Sequence, residues 1–290
     1  MHNKQNMRGD RYPSGAHQGP VPLRGGPKRA NGEAGRGMPA YSAWTNGVIQ
    51  REASARPRLF CFPYAGGGAS AYWPWIGALG PEIEIWALQL PGRESRWGEA
   101  AYDQMAPLVE RLTDDLEQLL VPPFAFFGHS MGAFVLFEVA RELRRRKRSG
   151  PSMILVSAAR APQIPDPDEP LHRVSNSELL NRVERWEGIP EALIAHTDLL
   201  ELMLPTLRAD LTLCETYRYV EESPLDCPCS VFGGKDDTKV PRAFLEAWRY
   251  QTRGEFKLHI FPGGHFYLHA CRNELLSAIE GELQKIPGAG

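Results

Sequence analysis

Phe124-Ala125-Phe126-Phe127-Gly128-His129-Ser130-Met131-Gly132 joins four consecutive apolar residues to a serine set between glycines. The apolar run predicts a short buried strand, and the residues from about Ala133 to Arg146 predict a helix. Between them stands G-x-S-x-G. A sharp strand-to-helix turn lifts such a hydroxyl above the sheet, and its flanking glycines are small where the turn crowds its neighbours. The helix behind it offers unpaired N–H groups and the positive end of its dipole. A bare G-x-S-x-G is common by chance. A strand before it and a long helix after it give it weight, and make Ser130 the candidate nucleophile.

On both sides of this segment, strands alternate with helices. Leu59-Phe60-Cys61-Phe62 predicts a strand that stops at the loop Pro63-Tyr64-Ala65-Gly66-Gly67-Gly68, and Ile83 to Leu90 predicts another, closed by Pro91-Gly92. A helix is expected over Met105–Leu120. Further strands are expected at Met153–Ser157, Cys229–Phe232 and Phe256–Phe261, with a last helix over Arg272–Gln284. Continuous apolar strands alternating with helices indicate an α/β fold, its mostly parallel sheet covered on both faces. From about 165 to 224 the rhythm breaks. Leu179, Leu180, Val183 and Trp186 fit one helix, Leu199–Leu204 is apolar up to Pro205, and a second helix is expected over Thr206–Tyr219. This insert reads as a helical lid, or else as a packing subdomain that never moves.

In the α/β-hydrolase fold, which uses this elbow, the other two catalytic side chains follow in the order acid, then histidine. His265 lies in Pro262-Gly263-Gly264-His265-Phe266, just past the strand ending at Phe261, where a turn can carry it over the sheet to Ser130. The other seven histidines are less well placed. His2 and His17 lie near the N-terminus, His129 lies inside the elbow with its ring expected to point away, His259 lies within a strand, and His172, His196 and His269 have no strand end behind them. For the acid, Gly234-Lys235-Asp236-Asp237 follows a strand; G-x-x-D selects Asp237, with Asp236 as the alternative. Such an acceptor fixes the histidine tautomer and stabilises the imidazolium. The oxyanion donors are expected to be the backbone N–H groups of Ala65, in the loop after the first strand, and Met131, after the nucleophile. The glycine run of that loop could instead cradle phosphate, but neither G-x-x-x-x-G-K-[ST] nor G-x-G-x-x-G is present.

The net charge of −2 argues against a nucleic-acid partner. Residues 1–58 hold ten Lys/Arg against three Asp/Glu, and the remainder is acidic. Residues 1–56, rich in Gly, Pro, Arg and Asn, cannot bury enough apolar area to offset ordering and read as a disordered basic leader before a single domain over 57–286. Five cysteines at irregular spacing suit neither a zinc site nor a disulfide framework, and fit a reducing, cytoplasmic setting. No membrane span or signal peptide is indicated. The run Arg144-Arg145-Arg146-Lys147-Arg148 closes the elbow helix, where the dipole favours cations; docking of an acidic partner is the other reading.

Taken together, Phe62-Pro63-Tyr64-Ala65-Gly66-Gly67, Leu90-Pro91-Gly92-Arg93, the elbow, Leu204-Pro205-Thr206-Leu207-Arg208-Ala209-Asp210 and Phe261 to Leu268 resemble the type II (external, editing) thioesterases of non-ribosomal peptide synthetase and polyketide synthase systems. The resemblance spans about Arg58 to Leu283 and leaves the leader without a counterpart. It implies hydrolysis of misprimed or stalled acyl groups from the phosphopantetheine of acyl or peptidyl carrier proteins, by Ser130, Asp237 and His265. It implies a monomer without a bound cofactor, the phosphopantetheine arriving on the substrate, and a lid supplying the acyl pocket and carrier docking. An acyltransferase or cyclase on the same fold, a carboxylesterase and a non-catalytic synthase partner are the competing readings.

Overall fold

The computed structural model describes residues 57–80, 83–184 and 197–286; the leader over 1–56 and the expected helical position of Trp186 lie outside them. Among the described residues, six parallel strands form one sheet: β1 (Arg58–Phe62), β2 (Glu84–Ala87), β3 (Phe124–His129), β4 (Met153–Ser157), β5 (Cys229–Gly234) and β6 (Phe256–Phe261), in the order β2-β1-β3-β4-β5-β6. Alternate residues of a strand face opposite sides, and both sides are filled. Phe60, Phe62, Phe124 and Phe126 enter one core with α1 (Met105–Leu116) and α2 (Met131–Arg145). Leu59, Cys61, Ala125 and Phe127 enter the other, with Tyr72 and Trp75 of a 3-10 turn over Ala69–Trp75. The helix packed on that second face lies near the C-terminus, at Arg272–Leu283. Every residue of β3, β4 and β5 is buried, which is why these strands read as unbroken apolar runs.

The segment before β5 holds α3 (Asn176–Glu184) and α4 (Thr197–Thr216). Two expectations need correction. Pro205 does not end a helix, since α4 runs through it. Proline in a helix interior forfeits a hydrogen bond and costs about 3 kcal/mol. Here Leu204, Leu207 and Leu211 pack with Leu171 and Leu179 in a satellite core, and Thr206 Oγ1 donates to the Gly92 carbonyl at 2.6 Å. Burial on both sides of the proline outweighs the lost bond. The second strand is also shorter than Ile83–Leu90. After Leu88 donates to the Cys61 carbonyl (3.0 Å), the buried Gln89 leaves the ladder and its side chain serves the next turn, accepting from the Ala69 amide and donating to Arg93 O. Among the described residues, no helix is long and apolar enough to cross a membrane.

Candidate active site

Ser130 sits at the junction of β3 and α2 with φ 52° and ψ −115°. A non-glycine residue there carries strain of about 1–3 kcal/mol and persists only where its surroundings fix it. The fixing bonds are Ser130 N–H to Ser157 O (2.8 Å) and Ala133 N–H to Ser130 O (3.0 Å). The glycines of the motif have steric reasons. A Cβ on Gly128 would overlap the Gly132 carbonyl, and one on Gly132 would overlap the Phe62 carbonyl at the end of β1. The elbow is therefore pressed against the neighbouring strand, and only hydrogen side chains fit.

β5 and β6 bring in the other two groups. The imidazole of His265 reaches Ser130 Oγ through Nε2 at 3.1 Å and Asp237 Oδ2 through Nδ1 at 2.8 Å. Asp237 is nearly buried, and its other oxygen accepts the amides of Lys239 (2.9 Å) and Val240 (3.1 Å). Burial alone would push this carboxyl's pKa up. The hydrogen bond and charge of His265 and the two amides outweigh it and hold the carboxyl below its usual range. Asp236, the sequence alternative, is exposed and bonds Gly263, while the carboxylate on His265 is that of Asp237. The Asp236 amide donates to the Gly263 carbonyl and its carboxylate accepts the Gly263 amide, tying the β5 loop to the loop that carries His265.

His129 does not point clear of the site. It is fully buried beneath it, with ring centroids 5.3 Å from those of His265 and Phe266. Its Nδ1 shares a hydrogen bond with Ser157 Oγ (2.9 Å), which in turn bonds the hydroxyl of Tyr267 (2.7 Å). Desolvation, with smaller contributions from His265 and His269, holds the His129 pKa well below the usual histidine value, so the ring under His265 is neutral.

Ser130 and His265 open into a cavity of about 910 Å³, walled in part by Ala65, Met131, Phe134, Leu207 and Leu211. Among the described residues, the amides of Ala65 and Met131 donate to no carbonyl or side chain. Arg160, also in the wall, lies over the Phe134 ring at 4.8 Å and touches Asp166 at 3.4 Å, while its Nε has no acceptor among the described residues. The cavity thus joins apolar walls to charged ones of both signs, Asp166, Asp168, Glu169 and Glu215 lining it together with Arg160 and Lys239.

Two residues of the quoted sequence motifs that were given no role meet beside the loop after β1. Arg93, after β2, and Asp210, on α4, form a buried bidentate pair at 2.7 and 2.8 Å. Asp210 Oδ2 also accepts the Gly66 amide at 2.7 Å, and Arg93 Nη1 donates to the Gly67 carbonyl at 3.0 Å. The sequence signal was a lone acid beside the apolar stripe Leu204, Leu207, Leu211 and Cys214. The arginines that close α2 are engaged in ion pairs. Arg144 and Arg145 pair with Glu222, Arg146 with Glu142 and Asp114, and Arg148 with Glu117.

An all-parallel sheet, a strained serine at a strand-to-helix turn and a histidine bridging it to a buried carboxylate define a serine-type α/β-hydrolase. The Thioesterase domain family matches residues 57–283, and the chain belongs to it; it is a thioester hydrolase. The chain is 39% identical to the gramicidin S biosynthesis protein GrsT of Aneurinibacillus migulanus over 80% of its length and 91% of that protein's. It superimposes on RedJ, a thioesterase from the prodiginine pathway of Streptomyces coelicolor, with a TM-score of 0.74 and 39% identity, covering 81% of this chain and 91% of RedJ. It likewise matches BorB, the type II thioesterase of the borrelidin cluster, with a TM-score of 0.72 and 34% identity, covering 83% of this chain and 96% of BorB.

Proposed function

We propose that this enzyme is a type II thioesterase that clears aberrant or misprimed acyl groups from the phosphopantetheine thiols of carrier proteins in a polyketide or non-ribosomal peptide synthase system. The observation that carries the reading is His265, at hydrogen-bond distance from both Ser130 Oγ and Asp237 in a cavity large enough for an acyl group. The relatives named for gramicidin S, prodiginine and borrelidin biosynthesis support the setting.

Ser130 Oγ attacks the thioester carbonyl while His265 Nε2 takes its proton. Asp237 holds Nδ1–H and stabilises the imidazolium. The tetrahedral oxyanion accepts the amides of Ala65 and Met131, and a single such donor contributes about 3 kcal/mol to the transition state. The C–S bond breaks, and the departing thiolate takes the proton from His265. Water then attacks the acyl-serine as His265 accepts one of its protons, and collapse returns that proton to Ser130 and releases the acid. No bound cofactor takes part, and the enzyme acts as a cytoplasmic monomer, with α3 and α4 contributing to a lid over the acyl group. Mass spectrometry of acyl-loaded carrier proteins, with wild type and Ser130→Ala, tests this. Free acid and bare carrier are expected from wild type only, with kcat lowered about 10⁶-fold in the variant. Acyl transfer to an added amine or alcohol in place of free acid would favour the transferase reading, and turnover by Ser130→Ala would end the proposal.

A further inference from the structure

The loop after β1 has no regular structure to hold it, yet Ala65 must present its N–H within a few tenths of an ångström of one position. Its outer face is bound by residues remote in sequence. The Gly66 amide is taken by Asp210 at 2.7 Å, and the Gly67 carbonyl by Arg93 at 3.0 Å. The two side chains are joined to each other by two further short bonds, and both are almost wholly buried. Arg93 also donates through Nε to the Pro91 carbonyl at 3.3 Å, and Thr206 of α4 donates to the Gly92 carbonyl. The peptide units immediately after Ala65 are therefore gripped from α4 and from the turn after β2 at once. Leu207 and Leu211 of the same helix wall the cavity.

We infer that Asp210 and Arg93 are positioning residues for the reaction, clamping Gly66-Gly67 so that the Ala65 amide faces the developing oxyanion and tying the hydrolytic step to the seating of α4. The inference rests on the oxyanion role proposed for Ala65. The clamp explains why an ion pair is kept in an apolar site at all. Replacing a buried pair by apolar residues of similar volume is often neutral or stabilising, so stability alone does not require it. An acceptor for the Gly66 amide and a donor for the Gly67 carbonyl cannot be supplied by leucine or methionine.

That contrast gives the test. The double variant Arg93→Met/Asp210→Leu, volume-matched and uncharged, is expected to fold and to show kcat lowered about 100-fold, with KM on an acyl-N-acetylcysteamine thioester within threefold of wild type. Affinity for a trifluoromethyl ketone analogue, which forms a tetrahedral adduct with Ser130, is expected to fall by the same factor, while a non-reactive thioether analogue binds unchanged. Asp210→Asn keeps an oxygen for the Gly66 amide and is expected to recover most of the loss. Arg242→Met removes an exposed ion pair with Glu246 that involves neither the loop nor α4, and is expected to leave kcat within twofold. Wild-type kcat in the double variant, or loss of kcat and of thioether binding together, overturns the inference. A fluorophosphonate that fails to label Ser130 in wild type overturns the functional reading instead; labelling with an unaffected double variant overturns only the clamp.

Discussion

The carboxyl edge of the sheet and the helical insert both line the reaction cavity, but they are held in place by different means. At the sheet edge Ser130, Asp237 and His265 each lie within about four residues of the end of a parallel strand, β3, β5 or β6, over two continuous cores. Among the described residues, the insert rests on a satellite core of five leucines, on Leu213 of α4 in the larger core, and on polar clamps: Arg93 to Asp210, Thr206 to Gly92, Glu215 to the amides of Leu171 and His172, and Arg208 to the turn before α3. The difference teaches a division of labour. Chemistry is set by the strands, whose ends cannot shift without disturbing the ladder. Cavity shape is set by helices that a handful of bonds keep seated.

The largest expected effect at the sheet edge is on rate alone. Asp237→Asn should lower kcat about 10⁴-fold through the wrong histidine tautomer, with little change in the denaturation midpoint. A loss below tenfold in stopped-flow or steady-state assays would break the assignment of chemistry to the strand ends. A smaller effect concerns acid stability. His129 is neutral when folded and titrates near 6.5 when unfolded, so below about pH 6.5 the unfolded state binds the extra proton. Stability contributed by the neutral ring is complete above that pH and falls by about 1.4 kcal/mol per unit as pH drops toward the depressed folded value. Urea unfolding between pH 5 and 8 should show that slope, reduced by one proton in His129→Gln; an unchanged slope would mean the ring is not the titrating group. His259 and His269, also held low by burial, add to the wild-type slope but cancel in the comparison. The smallest effect is in the insert. Arg182 pairs with Glu178 on the exposed face of α3, and Arg182→Gln should cost no more than about 0.5 kcal/mol, less in high salt. A cost of several kcal/mol would show that surface pairs, too, seat the insert.

The same division explains what could be read from the sequence. β6 and the last helix fall where the sequence pattern put them, and Ser130, His265 and Asp237 are legible because each sits in a loop or turn just past a strand, β3 and β5 fully buried and β6 half-buried at the sheet edge. The packing of Gly132 against the end of β1, and of Gly128 against Gly132, turns a motif into a contact. The insert was less legible. α4 crosses Pro205 because leucines from two distant segments reward it, and no local propensity encodes that. The partnership of Arg93 with Asp210 spans 117 residues, and a lone charge on an apolar stripe says that a partner exists without saying which. His129 lies under the site because β4 places Ser157 beside it, a matter of strand register.

The bond between His265 and Ser130 joins positions 135 residues apart, and its histidine end is carried by β6, the sixth strand in both chain order and sheet order. A polypeptide cut off ahead of β6 would keep Ser130 and lose the imidazole bonded to it, so every truncation before that strand removes the pair on which the proposed reaction depends.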